Sequence, residues 1–298
     1  MVQDSFIDLY KIAADAMEIK EESYSPKARV ISSKDSSFTF NLIYNPYRES
    51  RPEFLKKSED CPLCEGVREA KLDPRRILLA TENFIVTPNK FPTLASSSIA
   101  IYNTCTNPEL PMYRTTNLEG FEKVLAEYLE ISQKLGISLF HNTPGAGSSI
   151  PGHEHCHFHD FSRLYNSNNS SAGLNAATVE KVKQKRGVHK IEGYPFPHLV
   201  FDKDPNRIVN FLTRLNSQFG QKYTQTGLPF LLSEFKSGVL CVPVKNYIEG
   251  KGVGSGDVAG NLLTKSPDEF EKADYAYCLN RLRSTLFEEG SLDLESLV

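Results

Sequence analysis

Four of the seven histidines stand two apart, as His153, His155, His157 and His159. In an extended chain a period of two puts all four side chains on one face of a sheet, which a solvated strand has no reason to do. Imidazole changes charge near neutral pH and serves as nucleophile, general acid or base, and neutral metal ligand. The segment just before them, HNTPGAGSSIPG, supplies Asn142, Gly145, Gly147, Ser148 and Ser149. Small residues let backbone N–H groups converge on an anion, and hydroxyls add donors. Loop and strand together imply phosphate chemistry on a histidine. A second group is Cys61 and Cys64, the one close pair among six cysteines. In a reducing compartment that spacing points to metal or redox chemistry before a structural disulfide.

The elements around these residues follow from pattern. A helix is predicted over residues 117–135: Phe121, Val124, Leu125, Tyr128, Leu129 and Ile131 recur mostly at spacings of three and four, Asn117 suits the N-cap and Gly136 follows the end. It runs into an apolar strand at 137–140, then the small-residue loop and the histidine strand, so that these form one unit. Residues 38–44, 84–87 and 98–102 read as strands of one antiparallel sheet. The polar stretch 167–187 reads as a linker or loop, which separates an N-terminal module, 1–166, from a C-terminal half, 188–298. That half holds strands around Leu199 and Leu240, the loop GKGVGSGDVAG, and a last helix opened by Ser266, Pro267 and Glu269 in a capping-box pattern. His198, alone on an apolar strand, reads as a packed core residue. Lys251, Gly252 and Gly254 fit an outer phosphate site or a plain surface loop. The fold class expected is α+β.

At 298 residues, 40% hydrophobic and 24% charged, the chain can bury a large core. No apolar run approaches the ~20 residues of a membrane span. Lys+Arg 34 against Asp+Glu 37 leaves a net charge of -3, which recommends neither nucleic acid nor a membrane as partner. The first residues alternate apolar and acidic at helical spacing and lack the features of a secretory signal, so the expected location is cytoplasmic.

The order of amphipathic helix, strand, N-x-x-G-A-G-S-S loop and H-x-H-x-H strand resembles the histidine-triad (HIT-like) superfamily. Within it, the closest resemblance is to the branch of galactose-1-phosphate uridylyltransferases and diadenosine tetraphosphate phosphorylases. Arg48-Glu49-Ser50-Arg51-Pro52 is similar to that branch's R-x-x-R-P segment, and Cys61-Pro62-Leu63-Cys64 followed by Gly66 resembles its zinc C-x-x-C. Residues 82–92 resemble the strand and turn that line the nucleotide. The likeness carries specific motifs over about residues 38–160 and is looser beyond the linker.

The resemblance implies a HIT-like antiparallel sheet with helices in two related half-modules, and nucleotidyl transfer through a covalent nucleotidyl-histidine. It makes His153 a zinc ligand, His155 the nucleophile and His157 the third position, with Ser149 as a further catalytic group. The competing register is His155, His157, His159, with His157 attacking. Arg48, Arg51, Asn89, Asn142, Gly147 and Ser148 would hold nucleotide and phosphate. A structural zinc would sit on Cys61, Cys64, Cys105 and His153, with His141 as the alternative to Cys105. The donor implied is a nucleoside diphosphate sugar or a dinucleoside polyphosphate, the acceptor a phosphate or sugar phosphate, and the assembly a homodimer. His157 departs from the branch, where Gln is common; histidine there is usual in hydrolytic relatives, so water competes as acceptor. A nucleotide or zinc binding module without turnover is the reading from another class.

Overall fold

Among the residues that the computed structural model describes (2–19, 26–46, 61–92, 96–103, 118–143, 146, 150, 153–160, 173–182, 185–219, 228–245 and 253–298), ten strands make one antiparallel sheet and three make a smaller mixed sheet. The large sheet runs β3 (Leu79–Ala80), β4 (Phe84–Pro88), β5 (Ser98–Tyr102), β7 (His155–His159), β6 (Ser138–Asn142), β11 (Phe230–Phe235), β12 (Gly238–Pro243), β10 (Leu199–Phe201), β9 (Val188–Ile191), β8 (Val179–Lys181). Its two halves repeat one path. In the first, β4 and β5 pair, helix α3 (Leu118–Leu135) crosses, and β6 and β7 return with β7 beside β5. In the second, β9 and β10 pair, α4 (Pro205–Phe219) crosses, and β11 and β12 return with β12 beside β10. The halves join where β6 meets β11, Phe140 opposite Ser233.

One face of this sheet is covered by helices. Phe121, Leu125, Tyr128 and Ile131 of α3, at helical spacing and with no exposed surface, pack with Ile208, Phe211, Leu212 and Leu215 of α4 and with α1 (Val2–Ala16) onto Phe84, Val86, Cys156, Phe158 and Leu232. Each fully buried side chain of this size contributes roughly 1.5–3 kcal/mol. Gly136 ends α3 at φ 67, the left-handed position that its place in the sequence predicts.

The opposite face is covered in two separate patches. Over the C-terminal half lie the small sheet, β1 (Lys27–Ser33), β2 (Ser36–Tyr44) and β13 (Asn261–Thr264), and helices α5 (Ser255–Val258), α6 (Pro267–Lys272) and α7 (Tyr275–Arg283). Over the outer strands of the N-terminal half lies α2 (Pro62–Leu72), whose Leu63, Val67 and Ala70 meet Ile85, Ile99 and Ile101. Between the patches the face of β7 is left open to a cleft.

Two expectations change here. Strand 38–44 does not join 84–87 and 98–102 in one sheet: β2 pairs with β1 and, in parallel, with β13, Asn41 opposite Asn261. A parallel neighbour some 220 positions away leaves no mark on local alternation. The last helix is two. Ser266 caps α6 by accepting from the Glu269 N–H at 3.1 Å, and Asp274 caps a fresh helix by accepting from the Tyr277 N–H at 2.8 Å. Within the polar stretch 167–187, Val179–Lys181 is the edge strand beside β9.

His198 is a core residue, as read. Its Nδ1 donates to the Phe196 carbonyl and its Nε2 accepts from the Ile191 N–H, each at 2.8 Å. Burial lowers its pKa from 6.5 to about 4. The unfolded chain takes a proton near pH 6.5 that the fold refuses, so this residue contributes nothing above that pH and costs stability below it. The loss grows by up to about 1.4 kcal/mol per pH unit and is complete near pH 4. In urea unfolding at pH 7 and pH 5, His198→Gln is expected to flatten that part of the pH dependence; an unchanged slope would show the histidine titrates freely.

Candidate active site

The alternation of β7 sorts its side chains. Cys156 and Phe158 point into the helix-covered core, while His155, His157 and His159 line the cleft on the other face, about 460 Å³ in volume. The cross-strand rows place Ile101 beside His155, and Ile99 and Phe140 either side of His157. Asn89, Asn142, Ser255, Asp257 and Arg281 are among the polar residues of the wall, with Lys90 a second cation there.

Each histidine has a defined set of neighbours. His155 Nδ1 lies 2.7 Å from the carbonyl oxygen of His153, which can only accept, so Nδ1 carries the proton and Nε2 carries the lone pair. Burial pushes its pKa down to about 4, against a smaller opposing effect of that bond, so the ring is neutral at physiological pH. His157 Nδ1 is 3.5 Å from the Asn89 amide nitrogen, a donor, which leaves the His157 proton on Nε2. His159 stacks parallel to His157, ring centroids 6.3 Å apart, and lies against Phe140 at 5.1 Å.

His153, the first of the run, lies outside β7 with the cysteines. Cys61 is the N-cap of α2 and Cys64 sits in its first turn, so one helical turn presents both thiols to the same place. Their sulfurs are 3.3 and 3.4 Å from His153 Nδ1, and the three donor atoms lie within 4.8 Å of one another. Tetrahedral zinc, with bonds of about 2.3 Å to sulfur and 2.0 Å to nitrogen, needs S···N edges of about 3.5 Å, so the group fits that ion. His153 Nε2 donates to the Tyr102 carbonyl at 2.9 Å, which turns the Nδ1 lone pair toward the thiols, as an outer partner of a ligating histidine does. His141 is not in the group: its Nε2 is 3.3 Å from Glu154 Oε1.

Asn89 and Asn142, expected from sequence, both line the cleft. Arg48, Arg51, Cys105, Gly145, Gly147, Ser148, Ser149, Lys251 and Gly252 lie outside the described residues. From the C-terminal half the sequence offered Gly254, which lines the cleft, but not Ser255, Asp257 or Arg281. Asn142 Oδ1 accepts from the Ser255 N–H at 2.7 Å, Asp257 accepts from the Gly254 N–H at 2.9 Å, and Arg281 of α7 donates to Asp257 at 3.0 Å. The GSGDVAG run was visible in the sequence; Arg281, an ordinary basic residue near a helix end, gave no signal.

Behind the cleft two carboxyl groups are buried on the core face. Tyr128 donates to Glu154, which also faces His141. Four residues on along α3, Ser132 donates to Glu234 of β11, which also receives the Leu139 N–H at 3.2 Å and the Lys203 ammonium. Burial holds the Glu154 carboxyl well above the usual carboxylate range and, with His155 nearby, pushes His141 down to about 3.

The chain is an α+β protein whose two half-modules share one sheet, and it has the fold of a solved nucleotide phosphorylase. The solved structure of yeast Ap4A phosphorylase Apa2 in complex with Ap4A matches over 96% of this chain and 97% of that one, with a TM-score of 0.63 and 11% identity. Its complex with AMP matches over 98% of each chain, with a TM-score of 0.59 and 13% identity. No family model matches the sequence, and no curated protein matches it by sequence. Among the described residues no helix is long and apolar enough to cross a membrane.

Proposed function

We propose that this chain is a nucleotidyltransferase of the phosphorylase type. It passes a nucleoside monophosphate through a covalent nucleotidyl-histidine from a nucleoside diphosphate sugar or dinucleoside polyphosphate to a phosphate or sugar-phosphate acceptor. The observation that carries the reading is the state of His155: a neutral ring with its proton held at Nδ1 by the His153 carbonyl and its Nε2 lone pair in the cleft.

In the first step Nε2 of His155 attacks the α-phosphorus and an N–P bond forms. The P–O bond to the leaving fragment breaks, and its electron pair stays with the departing oxygen. His157 is assigned to donate a hydrogen bond from its Nε2–H to that oxygen, which departs as a phosphate anion and keeps no proton from the ring. The positive charge that develops on the His155 ring is met by the carbonyl at Nδ1. In the second step an anionic phosphate oxygen of the acceptor attacks the same phosphorus and the N–P bond breaks, its electron pair returning to Nε2 and restoring neutral His155. Backbone N–H groups of Gly147 to Ser149, the Ser149 hydroxyl, and Arg48 and Arg51 are assigned to the phosphoryl oxygens on the strength of the motifs. Zinc on Cys61, Cys64 and His153, with Cys105 as the fourth ligand, would supply a structural anchor for the segment leading into β7.

The test is intact mass after separate incubation with ATP, diadenosine tetraphosphate, and uridine, guanosine and adenosine diphosphate sugars, under non-acidic conditions that preserve a phosphoramidate. The yeast phosphorylase complexes hold AMP and Ap4A, so adenosine compounds come first. An adduct of one nucleoside monophosphate that clears on adding phosphate or a sugar phosphate supports transfer. An adduct that decays equally fast in buffer supports the second reading, a nucleotide hydrolase, which His157 in the third position favours. Nucleotide binding with no adduct from any donor would overturn both.

A further inference from the structure

The even positions of the histidine segment carry a feature that the chemistry above does not use. Glu154 stands between His153 and His155, and its side chain points the other way, into the core, where it is 3% exposed. Two groups from different elements reach the same carboxyl oxygen. The Tyr128 hydroxyl of α3 donates to Oε1, and His141 Nε2 of β6 lies 3.3 Å from it. The backbone on either side of the Glu154 Cα is engaged as well. The peptide carbonyl before it, that of His153, receives the His155 Nδ1 proton; the carbonyl after it receives the Tyr102 N–H at 3.1 Å. Tyr102 in turn accepts from His153 Nε2 through its own carbonyl.

We propose that Glu154 is a positioning residue, a core-side clasp that, through Tyr128 and His141, fixes the carbonyl setting the tautomer and aim of His155. The proposal rests on the reading of His155 as the nucleophile. Turning one Cα moves both peptide groups attached to it, so the side chain that pins this Cα sets the direction of the His153 carbonyl. Displacement of a reacting group by about 1 Å can cost on the order of 10²-fold in rate.

The fold supplies its own comparison. Ser132, one turn along α3 from Tyr128, donates in the same manner to the buried Glu234, in a strand that carries no histidine. A purely structural role predicts that Tyr128→Phe and Ser132→Ala behave alike. The clasp predicts that they do not.

The experiment compares Glu154→Gln, Glu154→Leu, Tyr128→Phe and Ser132→Ala with the parent chain. Three quantities are read: the single-turnover rate of nucleotide-adduct formation, the KM for the donor, and the ¹⁵N–¹H signal of the His155 Nδ1 proton. Glu154→Gln keeps an acceptor oxygen in place and is expected within about 3-fold of the parent rate. Glu154→Leu keeps the bulk and loses the acceptor; adduct formation falls on the order of 10²-fold, KM moves less than about 3-fold, and the Nδ1 proton exchanges too fast to observe. Tyr128→Phe follows in the same direction, by about 10-fold, and serves alone if Glu154→Leu does not fold. Ser132→Ala lowers the melting temperature and leaves rate and signal unchanged.

A retained Nδ1 signal and parent rate in Glu154→Leu overturn the clasp, as does an equal slowing in Ser132→Ala. If the parent chain forms no adduct, the nucleophile reading fails by itself, and the Nδ1 signal still decides whether Glu154 holds the carbonyl.

Discussion

His155→Ala is expected to fold and to lose nucleotide-adduct formation altogether, with turnover down by at least about 10⁴-fold. Removal of a covalent nucleophile leaves only binding and electrostatic contributions, which preserve a small residue of catalysis. His155 combines a place in the cleft with a carbonyl behind Nδ1. His157 faces an amide nitrogen and holds its proton on the opposite atom. His157→Ala is therefore expected to slow the first step while leaving the adduct detectable. Intact mass of both variants, with circular dichroism to confirm the fold, checks the assignment. An adduct that persists in His155→Ala and disappears in His157→Ala would move the nucleophile to His157.

Metal loss is the second large effect. Parent protein prepared without chelator is expected to hold about one zinc per chain, and Cys64→Ser close to none, measured by plasma emission. The thiolate is the ligand that a serine hydroxyl does not replace. A bound structural metal stabilises the fold outright, and for a chain of this size each kcal/mol lost shifts the melting temperature by roughly 2–4 °C. A fall on the order of 10 °C is expected, both in Cys64→Ser and in parent protein stripped with chelator. The damage is local in kind: α2 loses its tie to His153, and the approach to β7 loosens. Metal-free protein with an unchanged melting temperature would reduce the three residues to a packed polar cluster.

What could be read from the sequence followed the range over which each signal acts. The cleft face of β7 was legible because a period of two is local, and α3 because apolar spacing and a terminal glycine are local. The partnership of Cys61 and Cys64 with His153 came through a known motif, since no periodicity links residues 92 and 89 positions apart. The pairing of β2 with β13, and the reach of Asp257 and Arg281 to the cleft, depend on packing between distant segments and left no local trace. Glu154 is an instructive case. The alternation that sent the odd positions to the cleft also sends position 154 to the core beside Cys156 and Phe158. A charged residue at a core position is a question that the sequence already posed, and only its partners needed the structure.

The repeated strand path has a consequence for stoichiometry. β12 occupies in the second half the place that β7 has in the first, and the cross-strand row through His157 continues through Phe140 and Ser233 to Leu240. On that face β12 presents Leu240 and Val242, buried beneath the small sheet. The duplicated architecture is thus asymmetric: one half carries the histidines, and under the proposed function it alone reacts, while its counterpart supplies wall to the cleft. Titration with a donor should saturate at one nucleotide per chain, and an excised first half would lack Ser255, Asp257 and Arg281, leaving its histidines facing bulk water.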